Sequence, residues 1–186
     1  KATLMTHHLK AISPNQIRDE RIRAAQSAVI DRMTLRPDVT ESTCVTSGRI
    51  EDGLTCLVEQ GRFATRIDMS RGMGGDATAP SPGFFGRAAV VGCVAIGVKM
   101  FAARSGLTFD AVDVSVEMDF DDSAIFGLGD RSAAPLETRI SVEVTTSHHE
   151  DLVRDVVDRV LEMDPGFRAL RDPQSVTTRV AVQAPI

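Results

Sequence analysis

The chain has 186 residues, a formal net charge of −5, 42% hydrophobic and 25% charged residues. That is the composition of one globular domain with a substantial core, and the lack of a dense Lys/Arg cluster argues against nucleic acid or an acidic membrane surface as partner. Trp and Tyr are absent, so a stacking platform for bases would fall to the eight Phe residues alone.

Residues 1–14 show no period and read as an arm ending at Pro14. From Asn15 to Arg36, Ile22, Ala25, Val29 and Met33 recur at helical spacing, which predicts an amphipathic helix ending before Pro37. The period then becomes two. The stretches 43-TCVTSGRI-50 and 54-LTCLVEQ-60 flank Glu51-Asp52-Gly53 and predict a hairpin, with Cys44 opposite Gln60 and Cys56 opposite Gly48. A third strand follows at 63-FATRIDM-69. The glycine- and proline-rich 70-SRGMGGDATAPSP-82 reads as a loop.

Ser81 as N-cap, Pro82 as first helical residue and Gly106 past the end delimit a long central helix, apolar almost all round. Val112 to Phe120 and Leu136 to Val144 alternate as two half-buried antiparallel strands. Ser147 and Glu150 have the spacing of a capping box, opening a helix whose stripe runs from Leu152 to Leu161. Asp164-Pro165-Gly166 interrupts it, Phe167 to Leu170 adds a turn, and Val176 to Val182 reads as a closing strand. Runs of strands between helices predict an α+β fold.

Cys44, Cys56 and Cys93 stand far apart without a CxxC pair, so neither a zinc ribbon nor a thioredoxin-type motif is supported. A disulfide-stapled secreted scaffold is equally unsupported. There is no signal-peptide pattern, and the longest apolar stretch, Ala88 to Ala103, is shorter than a bilayer span and carries Lys99. A cytoplasmic protein without metal or other cofactor, and without a membrane partner, is the expectation.

A helix apolar on every side must be covered on every side. Gly86, Ala89, Gly92, Gly97 and Ala102 let another helix approach closely, and each mid-helix glycine costs about 1 kcal/mol against Ala. The pattern predicts a homodimer with this helix near the two-fold axis.

The order of pieces, 47-SGRIEDG-53, 72-GMGGDATAPSP-82, 88-AAVVGCVAIG-97 and a second helix followed by 164-DPGFRAL-170, resembles the OsmC/Ohr family of osmotically induced and organic hydroperoxide resistance proteins. The resemblance spans roughly residues 41–183. It implies antiparallel sheets wrapped around long buried central helices in an intertwined homodimer, with residues 1–40 as an added N-terminal arm and helix and 41–186 as the OsmC-like domain. It further implies reduction of organic hydroperoxides by a cysteine, with a second cysteine as resolver and an Arg and a Glu setting the thiolate. The attacking cysteine falls on Cys93 and the arginine on Arg49. The glutamate falls on Gly83 and the resolving cysteine on Asp164, so both are absent.

A thiolate is the nucleophile, and a thiol among apolar neighbours needs a cation nearby to ionise. Cys93 has none at i±3 or i±4, which leaves Arg49 as the one the resemblance supplies. Without a resolver, a sulfenic acid at Cys93 needs an external thiol reductant. Asp164 has two open readings: a charge opposing the thiolate, or a carboxylate pairing with Arg49 in place of the one missing at Gly83. The alternative function is a catalytically degenerate dimer holding a small apolar ligand beside the central helices. For Cys93 itself the simplest reading is packing, since free Cys is among the most buried residue types.

Other features carry less. His148 and His149 are adjacent, point about 100° apart on a helix, and fit a first helical turn better than a metal pair. His7 and His8 sit in the arm. The loop 72-GMGGDA-77 lacks the motifs of a phosphate cradle. Arg87 and Lys99 read as interface-edge or snorkelling cations.

Overall fold

The computed structural model describes residues 13–184, so the arm with His7 and His8 lies outside the described residues. The elements are α1 (Pro14–Leu35), β1 (Ser47–Arg49), β2 (Cys56–Gln60), β3 (Phe63–Ile67), α2 (Pro82–Arg104), β4 (Ala111–Asp119), β5 (Glu137–Thr145), α3 (Glu150–Met163) and α4 (Pro165–Arg171). They form an α+β fold with two separate antiparallel sheets, β1-β2-β3 and β4-β5.

The core is built on α2. Val90, Val94, Val98 and Ala102, spaced one turn apart, are buried against Val156 and Val160 of α3 and against the inner face of β4-β5. That face alternates as the sequence predicts, with Val112 opposite Val144, Val114 opposite Val142 and Val116 opposite Ile140. The ends of α2 fall where the punctuation places them. Ser81 Oγ accepts from the Phe84 N–H at 3.3 Å. At the other end Gly106 has φ +76°, and the N–H groups of Gly106 and Leu107 close onto Ala103 and Ala102.

Four expectations are corrected. The β1-β2 register is offset by two residues, with Gly48 opposite Val58 and Arg49 opposite Leu57, so neither cysteine pairing holds. The connection consumes residues 50–55, with Gly53 at φ +57°, and β2 starts at Cys56 rather than Leu54. An even offset keeps every side chain on its face, and the Cys56 thiol still lies against Gly48, 3.0 Å from where a Cβ would stand.

The second correction concerns α3, which starts at Glu150. Its N-cap is His149, whose Nδ1 accepts from the Asp151 N–H at 3.3 Å. The Ser147 capping box does not form, because Thr146 and His148 are tied to Thr108 in the turn after α2. The third is the closing strand. Among the described residues, 173–184 pair with no strand, and Val180 and Val182 are 88% and 94% exposed.

The fourth is the buried face of α1. The helix turns Asp19, Ile22 and Gln26 inward and leaves Val29 and Met33 exposed. The reason is Lys99, a cation in the middle of an apolar helix. Its Nζ lies 2.9 Å from Oδ1 of Asp19, and it also donates to the Phe109 carbonyl. A buried ammonium needs such partners, and α1 is rotated to supply them.

In length and composition α2 is apolar enough to cross a membrane, being longer as folded than the stretch read from the sequence. One face of it is committed to the core and Lys99 to α1.

Gly86, Gly92 and Gly97, inside the helix, divide into two groups. A Cβ at Gly97 would stand 3.0 Å from Val160 Cγ1, so this glycine serves the contact with α3. At Gly86 and Gly92 an added Cβ meets nothing.

Candidate functional site

Cys93 sits on the α2 face that the core does not use. It is half-buried and lines an open cavity of about 410 Å³. The floor of this groove is α2 itself: Cys93, Ile96, Gly97, Met100, Phe101 and Arg104. Gln26 of α1 stands on one side. Val160, Met163, Asp164 and Pro165, at the junction of α3 and α4, stand on the other.

That junction is sequence-determined. Pro165 cannot continue α3, so the chain turns at Asp164 and restarts as α4. Asp164 caps the new helix, its Oδ1 accepting from the Phe167 N–H at 2.7 Å, and it is only 5% exposed. The next turn brings Gly166 onto Cys93. A Cβ at Gly166 would stand 2.9 Å from Cys93 Cβ, 3.1 Å from its Sγ and 3.2 Å from Asp164 Oδ1. Cys93 and Asp164 therefore flank the same piece of backbone.

Arg49 is not brought to this place within one chain. It ends β1, pairs with Glu51 at 2.7 Å, and its side chain is 78% exposed. Among the described residues no helix makes more than marginal contact with the β1-β2-β3 sheet. An Arg49–Asp164 pair is accordingly absent from the single chain, where Arg49 takes Glu51 instead. Gly83 lies in the first turn of α2 beside the Arg87 guanidinium, 3.3 Å from the Cβ position. Lys99 is engaged with Asp19 and Phe109, away from the thiol.

Neither Cys44 nor Cys56 forms a disulfide. No group of three His, Cys, Asp or Glu side chains assembles for a metal among the described residues. His148 and His149 are occupied at the start of α3, where each ring accepts a backbone N–H.

Gln26 and Arg104 escape sequence reading. Arg104 carries a signal: it follows Cys93 by three helical turns, so both fall on one face of α2. Gln26 has none, since its inward position follows from the ion pair that orients α1.

What this geometry can do is present a thiol to solvent through an apolar groove, beside a carboxyl group and without a second thiol. Residues 74–179 match the family model described as OsmC-like protein. The fold is also similar to an OsmC-like protein from Mycoplasma pneumoniae, at 12% identity and TM-score 0.61, over 71% of this chain and 89% of that one. It is likewise similar to an organic hydroperoxide resistance protein OsmC from Legionella pneumophila, at 16% identity and TM-score 0.52, over 70% and 90% of the two chains. No curated protein matches the sequence. With more than half of its length inside the family model, the chain belongs to the OsmC-like proteins.

Proposed function

We propose that the protein reduces organic hydroperoxides through the single cysteine Cys93 and returns to the thiol with an external reductant, as a cytoplasmic homodimer. The observation that carries this reading is the position of Cys93: on the helix of the matched domain, on the floor of an open groove rather than in the Val90-Val94-Val98 stripe one residue away. The similar Legionella protein is an organic hydroperoxide resistance protein, and it supplies the substrate class.

In the reaction the thiolate attacks the terminal oxygen of ROOH. The O–O bond breaks, an S–O bond forms, and RO⁻ leaves to take a proton as ROH. Sulfur is oxidised by two electrons to Cys93–SOH. A first external thiol displaces water to give a mixed disulfide, and a second releases Cys93–SH and a small disulfide.

The dimer draws support from what one chain leaves open. Among the described residues, a Cβ at Gly86 or Gly92 would meet nothing within 4 Å, residues 173–184 find no ladder, and the β1-β2-β3 sheet makes no more than marginal contact with the helices. A second copy covers these surfaces. It also delivers Arg49 to Cys93, since the chain's own Arg49 is held away. Asp164 is the carboxyl group available to orient such a guanidinium, in place of the one missing at Gly83.

The test is intact-mass analysis of reduced protein after stoichiometric organic hydroperoxide, with sulfenic-acid trapping. One oxygen added at Cys93, far faster than in the unfolded chain and lost in Cys93→Ser, is the expected result. Oxidation no faster than in the unfolded chain returns the function to a second reading. That reading is a binding module for a small apolar ligand, which the mostly apolar groove lining favours.

A further inference from the structure

We infer that the polar cavity between α1 and the end of α2 binds a basic amino acid, a ligand with one carboxylate and two ammonium groups. The site is separate from the thiol. Neither Cys93, Gly86 nor Gly92 of α2 lines it, and no residue of the β1-β2-β3 sheet does.

The cavity measures about 420 Å³, within the roughly 300–1,000 Å³ of small-molecule sites. Asp19, Glu20 and Arg23 of α1 stand on one side. Gly106, Thr108 and Asp110, in the turn from α2 to β4, stand on the other. The matched family region does not include α1, so half of this site is what the chain adds to its fold.

Three observations carry the inference. The first is the charge left over. Lys99 neutralises Asp19. Glu20 and Arg23 have the spacing of a helical ion pair, yet among the described residues they do not pair. Arg23 turns to the other side instead, its Nη1 3.6 Å from where a Cβ on Gly106 would stand, and the carbonyl end of α2 favours a cation there. Asp110 commits one oxygen, Oδ1, to Asn15 Nδ2 at 3.3 Å. The cavity therefore offers one guanidinium and two carboxylates, and the ligand that balances them carries one negative and two positive groups.

The second is their arrangement. A cation and an anion one turn apart on α1 match the carboxylate and ammonium that an α-amino acid carries on one carbon. The carboxylate goes to Arg23 and the α-ammonium to Glu20. Asp110, on the opposite side, takes the ammonium of the ligand's side chain.

The third is a buried acceptor. Asp19 is only 5% exposed. Its Oδ2 accepts from Lys99 Nζ at 3.2 Å. Its Oδ1 lies 2.9 Å from the same Nζ but accepts no hydrogen bond among the described residues. A buried oxygen in that state is uncommon. This one belongs to the residue beside Glu20, where the α-ammonium brings further N–H groups.

The experiment is calorimetry on the full chain with L-lysine and L-ornithine, against two controls. Norleucine lacks the side-chain ammonium, and cadaverine lacks the carboxylate. The wild type binds lysine about tenfold more tightly than either control, the scale of one charge-assisted hydrogen bond. Arg23→Gln removes the advantage over cadaverine, and Arg23→Lys keeps part of it. Asp110→Asn removes the advantage over norleucine and leaves that over cadaverine. A merely structural Arg23 or Asp110 changes all affinities together, which overturns the inference. So does binding of lysine and ornithine weaker than about 1 mM, or equal binding of lysine and its controls. The outcome is independent of whether Cys93 reacts with a peroxide.

Discussion

Cys93 and Gly166 touch through space that no side chain can share: the Cβ that Gly166 lacks would stand 2.9 Å from Cys93 Cβ. The helix break at Pro165 thus seats α4 on the thiol-bearing face of α2, and the backbone of Gly166 becomes part of the thiol's surroundings. Gly166→Ala is expected to destabilise the fold by about 1–3 kcal/mol, the range for overpacking. It should also change the rate of Cys93 alkylation by iodoacetamide. Thermal unfolding and alkylation kinetics check both. An unchanged melting temperature would mean that α4 is free to move off Cys93.

The Asp19–Lys99 pair is the attachment of α1. Lys99→Met removes the cation and leaves the Asp19 carboxylate, whose side chain is 7% exposed, buried without its partner, at a cost of about 3 kcal/mol. Asp19→Asn together with Lys99→Met should recover most of this, because no charge is then stranded. A double-mutant cycle by urea unfolding measures the coupling, and equal losses in the single and double variants would show that the pair is not coupled.

Acid should act on the loop before α2. The N–H of Thr78 above all, with the Thr78 hydroxyl and the Met69 N–H, holds the Asp68 carboxyl below the usual carboxylate range. A depressed pKa stabilises the fold above the unfolded value, about 3.9 for Asp, and that stability is lost as pH falls through the lower folded value. Asp68→Asn is therefore expected to lower the melting temperature at pH 7. The gap to the wild type should close as pH falls below about 4. A gap independent of pH from 7 to 3 would show that the hydrogen bonds, not the charge, are what the loop needs.

The open glycines of α2 distinguish one chain from two. In an isolated chain, Gly92→Ala replaces a poor helix former with a good one and gains about 1 kcal/mol. In the proposed dimer, Gly92→Leu fills the space reserved for the second copy and shifts the protein toward monomer in sedimentation velocity. A Gly92→Leu protein that stays dimeric, or a wild type that is monomeric at tens of micromolar, places the interface elsewhere or removes it.

Much of the fold is legible because its signals are local. The limits of α2 follow from Ser81, Pro82 and Gly106, and the β4-β5 face from strict alternation. The misreadings share one cause. The buried face of α1 depends on Lys99, distant in sequence, and the start of α3 depends on Thr108 holding Thr146 and His148. Periodicity within either segment contains neither fact. At the site, Cys93 and Asp164 come together because both sides of their meeting, an apolar helix and a Pro-broken one, are written in the chain. Arg49 does not join them, and nothing in the spacing 47-SGR-49 says which copy of the chain its sheet would cover. The final valines alternate as a strand should, yet a strand is a relation between two segments, and the second is not found among the described residues.

The way α1 is attached has a consequence for how far it can move. A helix held by an apolar stripe can slip by one turn and meet similar neighbours at small cost. A helix held by Asp19 under Lys99 cannot, because any slip strands a carboxylate among methyl groups. The ion pair acts as a detent: it gives α1 one seat along α2, and with that seat it fixes the width of the channel that Gln26 borders.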